Sequence, residues 1–305
     1  MTPGQLLSAW ALDPLPSAGV VVAAGLYLHA WRALANSPGD GSTGAARGGL
    51  RRYRPLAFAL GLLALIVAID GPPDVFSESS FLAHMVQHLL LQLVAAPLLL
   101  LGGPVGLVLR ADPPWFRRKA LVRLLRSRWV RVLSHPVTTL AAFAVVLVGS
   151  HLTPLYELAL QHEGVHELEH LAYFATALLF WWPAIGVDPA PHRMGHPGRL
   201  LYLFLAMPVM AFLGVAIADS SQVLYASYVA DPPPWGSTPL SDQRAAGTLM
   251  WVAGMFTVVP AMAAVLWQWL DEDGRRQQRT DELARRARPA QARALPVGTP
   301  PAGQP

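Results

Sequence analysis

The chain contains seven long apolar runs, and they constrain its fold more than any other feature. They fall at roughly 18–35, 54–70, 81–102, 137–151, 165–186, 199–218 and 246–269. A hydrocarbon core about 30 Å thick needs about 20 helical residues to cross it. In lipid only helices and closed barrels satisfy their own backbone polar groups. Runs of this length with few charges predict an all-α, polytopic transmembrane bundle of seven spans. Composition agrees, with 53% of residues hydrophobic and 14% charged, where a soluble domain carries about 25% charged residues.

Basic residues give the orientation. Arg32 to Arg54, Arg110 to Arg131, Arg193 with Arg199, and Arg275 to Arg293 hold every Lys and Arg except Arg244. These groups fall on alternate connections and the C-terminal tail. The positive-inside rule then places the N-terminus outside and the tail in the cytoplasm. The expected organisation is an outer N-terminal segment (1–17), a seven-span membrane domain (18–270) and a partly disordered cytoplasmic tail (271–305). Met1 to Pro16 has no Lys or Arg and no long apolar core, so it does not read as a cleaved signal peptide. Ser37 to Gly49 reads as a flexible linker. Trp115 to Leu133 alternates basic and apolar residues and predicts an amphipathic helix lying on the inner leaflet. Its Trp, Phe and Leu content, between two spans, argues for the lipid bilayer and against nucleic acid as its partner.

The chemistry-bearing residues are histidines. His84 and His88 stand four apart near the start of the third run. His162, His166 and His170 repeat that spacing at the start of the fifth, and His151 closes the fourth. Helical residues four apart share a face, so each pair can present two imidazoles to one ion. With the topology above, all six lie towards the outer surface. Ionisable groups within spans are costly and usually functional. The chain has no cysteine, so a metal would be held by His, Met, carboxylate or backbone oxygen. Imidazoles joined by thioethers suit copper, above all Cu(I), which makes Met85 and Met250 candidate ligands. Glu169 and Asp242 are candidates to orient an imidazole from behind.

One rival comes from the same stretch. Residues 162–170 contain two overlapping H-E-x-x-H matches, the pattern of a zinc hydrolase whose Glu is general base. Glu163 or Glu167 would fill that role. Axial haem ligation and a di-iron site are further uses of buried histidines. The first does not need paired imidazoles on each helix. The second usually lies at the cytoplasmic face.

Several motifs, taken in order, resemble the CtaG family of cytochrome c oxidase assembly factors. They are His84-Met85-Val86-Gln87-His88 with Ala95-Ala96-Pro97, His151 with Leu155-Tyr156, His166-x-x-Glu169-His170, Trp181-Trp182-Pro183, and Pro239-Leu240-x-Asp242-Gln243 through Met250-Trp251. The resemblance covers roughly residues 50–270. It implies a seven-helix bacterial plasma-membrane protein that assists assembly of haem-copper oxidases, with oxidase subunits as partners and copper delivery as the suspected role. It implies no enzymatic activity. Reporter fusions at Gly41, Lys119 and Gln277 should all report cytoplasmic, and a periplasmic signal at Lys119 would break the seven-span topology.

Overall fold

The computed structural model describes residues 4, 8–35, 44–111, 119 and 121–294. The described residues are helical, with turns and no strand. In chain order the longer helices are α1 (Pro14–Ala35), α2 (Gly44–Ile69), α4 (Phe81–Leu89), α5 (Ala96–Leu101), α6 (Pro104–Ala111), α9 (Pro136–Leu152), α10 (Leu155–Gln161), α11 (Glu163–Ile185), α12 (His196–Asp219) and α14 (Pro239–Ala294). Short helices α3 (Pro72–Val75), α7 (Val122–Leu125), α8 (Arg128–Leu133) and α13 (Ser227–Ala230) lie between them. The chain divides into two compact units, Met1–Met262 and Ala263–Pro305.

Among the described residues, four helical stretches are long and apolar enough to cross a membrane: Tyr53–Val75, Phe81–Ala111, His196–Asp219 and Pro239–Arg285. A fifth is reached if α9 and α10 count as one span bent by 70°. The apolar runs thus do form helices, while four or five of the expected seven meet the test. Helix α11 carries Glu163, His166, Glu167, Glu169 and His170 in its first two turns, which shortens its apolar length. Large apolar side chains such as Leu63, Phe212 and Phe256 are more than half exposed, as expected of a surface solvated by lipid rather than water.

Two other expectations change. Gly44 to Gly49 is helical backbone at the start of α2, whereas residues 36–43 of the expected linker lie outside the described residues. The expected helix over Trp115 to Leu133 is broken where it is described: α7 and α8 are separate, and the Ser127 hydroxyl caps α8 by accepting from Val130 N–H. A serine side chain that bonds the backbone locally offers it an alternative to continuing the helix. Residues 112–118 and 120 lie outside the described residues. Leu124, Trp129, Val132 and Leu133 are exposed, which suits a segment resting on a bilayer. The tail is helical to Ala294, with Asp271–Arg275 and Glu272–Arg276 pairs one turn apart. Residues 295–305 lie outside the described set.

The helices that matter for the site are α4, α9, α10 and α11. Between α4 and α5, Leu90–Ala95 forms a π-helical turn. Ala96 N–H bonds Leu91 C=O, five residues back, so Gln92 C=O loses its usual partner four residues on. The residue five on is Pro97, which has no N–H. That buried carbonyl is satisfied from another helix, by the Trp181 indole N–H of α11 at 2.8 Å. The bond ties the helix carrying His166 and His170 to the one carrying His84 and His88. At its far end α11 stops at Gly186, whose φ of +67° suits glycine. The Arg199 guanidinium donates to Ala184 C=O and Ile185 C=O there. Asp188, just beyond, accepts from Val105 N–H and Gly106 N–H at the start of α6, and burial holds its carboxyl above the usual carboxylate range.

Helix α12 meets the first part of α14 by glycine contact. A Cβ on Gly214 would stand 2.7 Å from Gly247 C=O, and one on Gly247 would stand 2.6 Å from Gly214 C=O. Small residues allow this close backbone approach between membrane helices.

Replacing Trp181 with Phe should lower the unfolding free energy by about 1–3 kcal/mol for the carbonyl left without a donor, with further loss from packing. Thermal unfolding in lipid nanodiscs measures it, and an unchanged melting temperature would count against the bond as a tie between the two helices.

Candidate metal centre

Ser80 starts α4 by accepting from Ala83 N–H. The Asp242 carboxylate, in the first turn of α14, accepts from the Ser80 hydroxyl and from Leu82 N–H at 3.0 Å. Asp242 is therefore occupied at the N-terminus of α4, where a carboxylate is favoured, rather than on an imidazole as expected. It fixes the start of the helix that carries the histidines.

One turn further on, His84 and His88 are 0% and 2% exposed. Their Nε2 atoms stand 3.0 Å apart. The i,i+4 pair of α11 faces them: the His166 ring lies 4.8 Å from His84, and the His170 ring 5.4 Å from His88. Glu169 enters from the same helix, its Oε2 at 3.8 Å from His84 Nε2 and 4.0 Å from His88 Nε2. Two sets of donors have their ligand atoms within 4.8 Å of one another: His84, His166 and His170, and His84, His88 and Glu169. His84 belongs to both.

Glu169 was expected behind the imidazoles, orienting one of them; the structure brings its carboxylate within 4.8 Å of the His84 and His88 nitrogens, in one group of possible donors. The reason is angular. Position 169 follows His166 by three residues, so its side chain falls on the histidine face. Glu163 and Glu167, the bases a zinc hydrolase would need, are exposed. His162 is the exposed N-cap of α11, with extended backbone (φ −138°, ψ 110°). The first H-E-x-x-H match therefore does not run along one helical face, and the second has its glutamate turned away from the cluster.

His151 closes α9 and is 5% exposed. Its ring is 6.4 Å from His88, and it belongs to neither close set. Its Nδ1 lies 2.9 Å from Leu147 C=O and 3.1 Å from the Tyr173 and Ser150 hydroxyls. Those two hydroxyls also bond each other. After His151 the chain turns sharply: Thr153 precedes Pro154 and is extended (φ −124°, ψ 170°), as a residue before proline is biased to be. The 70° bend brings Tyr156 of α10 beneath His84, ring centroids 4.8 Å apart. Met85 and Met250 are both buried. Met85 follows His84 by one residue, about 100° round the helix. Among His, Asp and Glu side chains, the close donors are imidazole and carboxylate.

Tyrosines wall the site, and their roles were not legible in the histidine spacing. Tyr173 of α11 stacks on His88 at 4.1 Å. Tyr225 and Tyr228 arrive on the connection between α12 and α14, held by Glu157 of α10, which accepts from Ser227 N–H and hydroxyl. Burial keeps both phenols well above the usual tyrosine range, hence protonated. Only the spacing of the two tyrosines, three residues apart around α13, hinted at burial.

The unpaired atoms bear on what the site can hold. His88 Nδ1, His151 Nε2, His166 Nε2, His170 Nε2 and both Glu169 oxygens are buried with no hydrogen-bond partner. Each such atom costs about 1–3 kcal/mol. A divalent or cuprous cation shared by imidazole nitrogens and a carboxylate would satisfy several at once, and this donor chemistry suits copper, zinc and iron.

An all-helical, membrane-type bundle enclosing an imidazole–carboxylate cluster is the class of protein that fold and site define. The family described as cytochrome c oxidase caa3 assembly factor (Caa3_CtaG) matches residues 25–272, and the chain belongs to that family. Uncharacterized proteins of Mycobacterium bovis and Mycobacterium tuberculosis are each 32% identical over 291 residues, covering 93% of this chain and 42% of the relative. An uncharacterized protein of Mycobacterium leprae is 30% identical over 239 residues, covering 76% of this chain and 36% of its own length. The chain thus spans less than half the length of these relatives. No solved structure matches it.

Replacing Glu169 with Leu should raise the melting temperature of the metal-free protein, because it removes two buried oxygens without a hydrogen-bond partner; the gain should be about 1–3 kcal/mol. A lower melting temperature would mean that the carboxylate already has a partner in the metal-free state.

Proposed function

We propose that this chain is a non-enzymatic assembly factor that binds copper through the His84, His88, His166, His170 and Glu169 cluster and assists its delivery to a nascent haem-copper oxidase. The family supports the link to oxidase assembly. The observation that carries the copper reading is the group of buried, unpartnered imidazole and carboxylate atoms around His84. Copper is cargo here rather than a resident cofactor. His151 sits at the rim, one imidazole further along a transfer path. Met85 and Met250 remain candidate thioether ligands for Cu(I), and the carboxylate would let the same site hold Cu(II) as well.

The topology we propose has seven spans in the bacterial plasma membrane, with the N-terminus outside and the C-terminal helix in the cytoplasm. Helices α1 and α11 supply the two spans beyond the five apolar ones. The split of basic residues supports this orientation, and it puts the cluster near the outer surface. The oxidase subunit that receives copper would then approach from outside.

Metal analysis of the purified protein tests the reading. Wild type should retain copper, and a variant with both His84 and His88 replaced by Ala should retain little. The same variant should fail to support oxidase assembly in cells. Wild-type copper content and a fully active oxidase in the double variant would rule the cluster out as the copper site, and zinc as the sole retained metal would favour a different cargo.

A further inference from the structure

The Tyr228 hydroxyl has three polar neighbours: Ser77 C=O at 3.0 Å, His84 Nδ1 at 3.2 Å and the Tyr156 hydroxyl at 3.2 Å. A phenol carries one proton, and a carbonyl can only accept. Ser77 C=O is the one neighbour that can only accept, so the Tyr228 proton is assigned to it. The phenol oxygen then accepts from its other two neighbours, Tyr156 through its hydroxyl and His84 through an Nδ1–H. With the proton on Nδ1, neutral His84 presents a lone pair at Nε2, which in the metal-free protein accepts from His88 Nε2–H at 3.0 Å, with Glu169 Oε2 at 3.8 Å.

His151 repeats the logic with a different partner. Its Nδ1 lies 2.9 Å from Leu147 C=O, which again can only accept. The carbonyl favours a proton on Nδ1, although the Ser150 and Tyr173 hydroxyls beside the same atom can either donate or accept, and Nε2 is buried without a partner.

We propose that Tyr228 is a positioning residue that fixes His84 as the Nδ1–H tautomer before any metal arrives, so that the ligand shared by both donor sets is ready to bind through Nε2. This inference rests on the copper-binding reading for its consequence, but the tautomer stands apart from it. Partners that hold a ligating histidine's other nitrogen typically contribute 10–100-fold in metal affinity. Tyr228 reaches His84 from the connection between α12 and α14, a part of the chain that contributes none of the close donors. The readiness of the site therefore depends on how that connection docks.

The test uses the full chain in lipid nanodiscs, free of metal and labelled with nitrogen-15 at histidine. The His84 signals, assigned by their loss in His84→Gln, should show the Nδ1–H tautomer in wild type. In Tyr228→Phe, which keeps the ring and its stacking on Phe81, the fixed tautomer should be lost. Titration with copper ions alone should show affinity about 10–100-fold weaker. An Nε2–H tautomer in wild type overturns the proposal. So does a Tyr228→Phe protein with unchanged affinity, or one that loses affinity while the tautomer stays fixed. Should Tyr228→Phe fail to fold, the wild-type tautomer decides alone. A wild type that binds no copper sinks the proposed function and leaves the tautomer to be judged by the spectrum.

Discussion

A prolyl ring at position 97 cannot donate a hydrogen bond, and the arrangement of the central helices depends on that. The π-helical turn before it hands Ala96 N–H to Leu91, so Gln92 C=O is left without a helical donor in a region sealed from water. An unsatisfied carbonyl there is costly, and far more so when no water can reach it. The indole of Trp181 answers it from α11. One missing N–H on one helix thereby selects the partner helix and the height at which the two meet. That height decides which turns of α4 and α11 oppose one another, and those are the turns that carry the histidines.

The polar interior above this tie is organised on a different principle. Asp242 and Ser80 fix the start of α4, Glu157 fixes the connection bearing Tyr228, and the carbonyls of Ser77 and Leu147 lie within hydrogen-bond reach of Tyr228 and His151. At the centre several imidazole and carboxylate atoms have no partner, among them His88 Nδ1, His166 Nε2, His170 Nε2 and both Glu169 oxygens. Such a distribution is expensive in the metal-free protein, since each unpaired buried atom subtracts from a folded-state margin that is small for any protein. The satisfied surroundings offset part of that loss.

Much of this was legible in the sequence. The apolar runs gave the helices, the four-residue spacing gave two imidazole pairs, and the order of motifs gave the family. Those features are local: a hydrophobic run and an i,i+4 pair mean the same thing wherever the helix is placed. What the sequence misassigned was relational. Glu169 looked like an orienting group and is a member of the close donor set. Asp242 looked like a partner for an imidazole and is a helix cap. The H-E-x-x-H pattern looked like a hydrolase motif, yet its glutamates are exposed, because a motif written in sequence does not say which face of the helix is buried. The continuous helix expected to Leu133 failed for a local reason, a serine whose side chain caps a new helix instead of continuing the old one.

By itself the sequence determined an all-helical chain with membrane-length apolar segments and paired histidines, since helical periodicity and hydrophobic length act over a few turns. Only the tertiary structure decided that His84 faces both His166 with His170 and His88 with Glu169, and that tyrosines from distant segments close around them. The physical reason is that side chains 60 to 150 residues apart in the chain meet only when helices dock. The height of that docking was set by one carbonyl without a donor and one indole within reach of it.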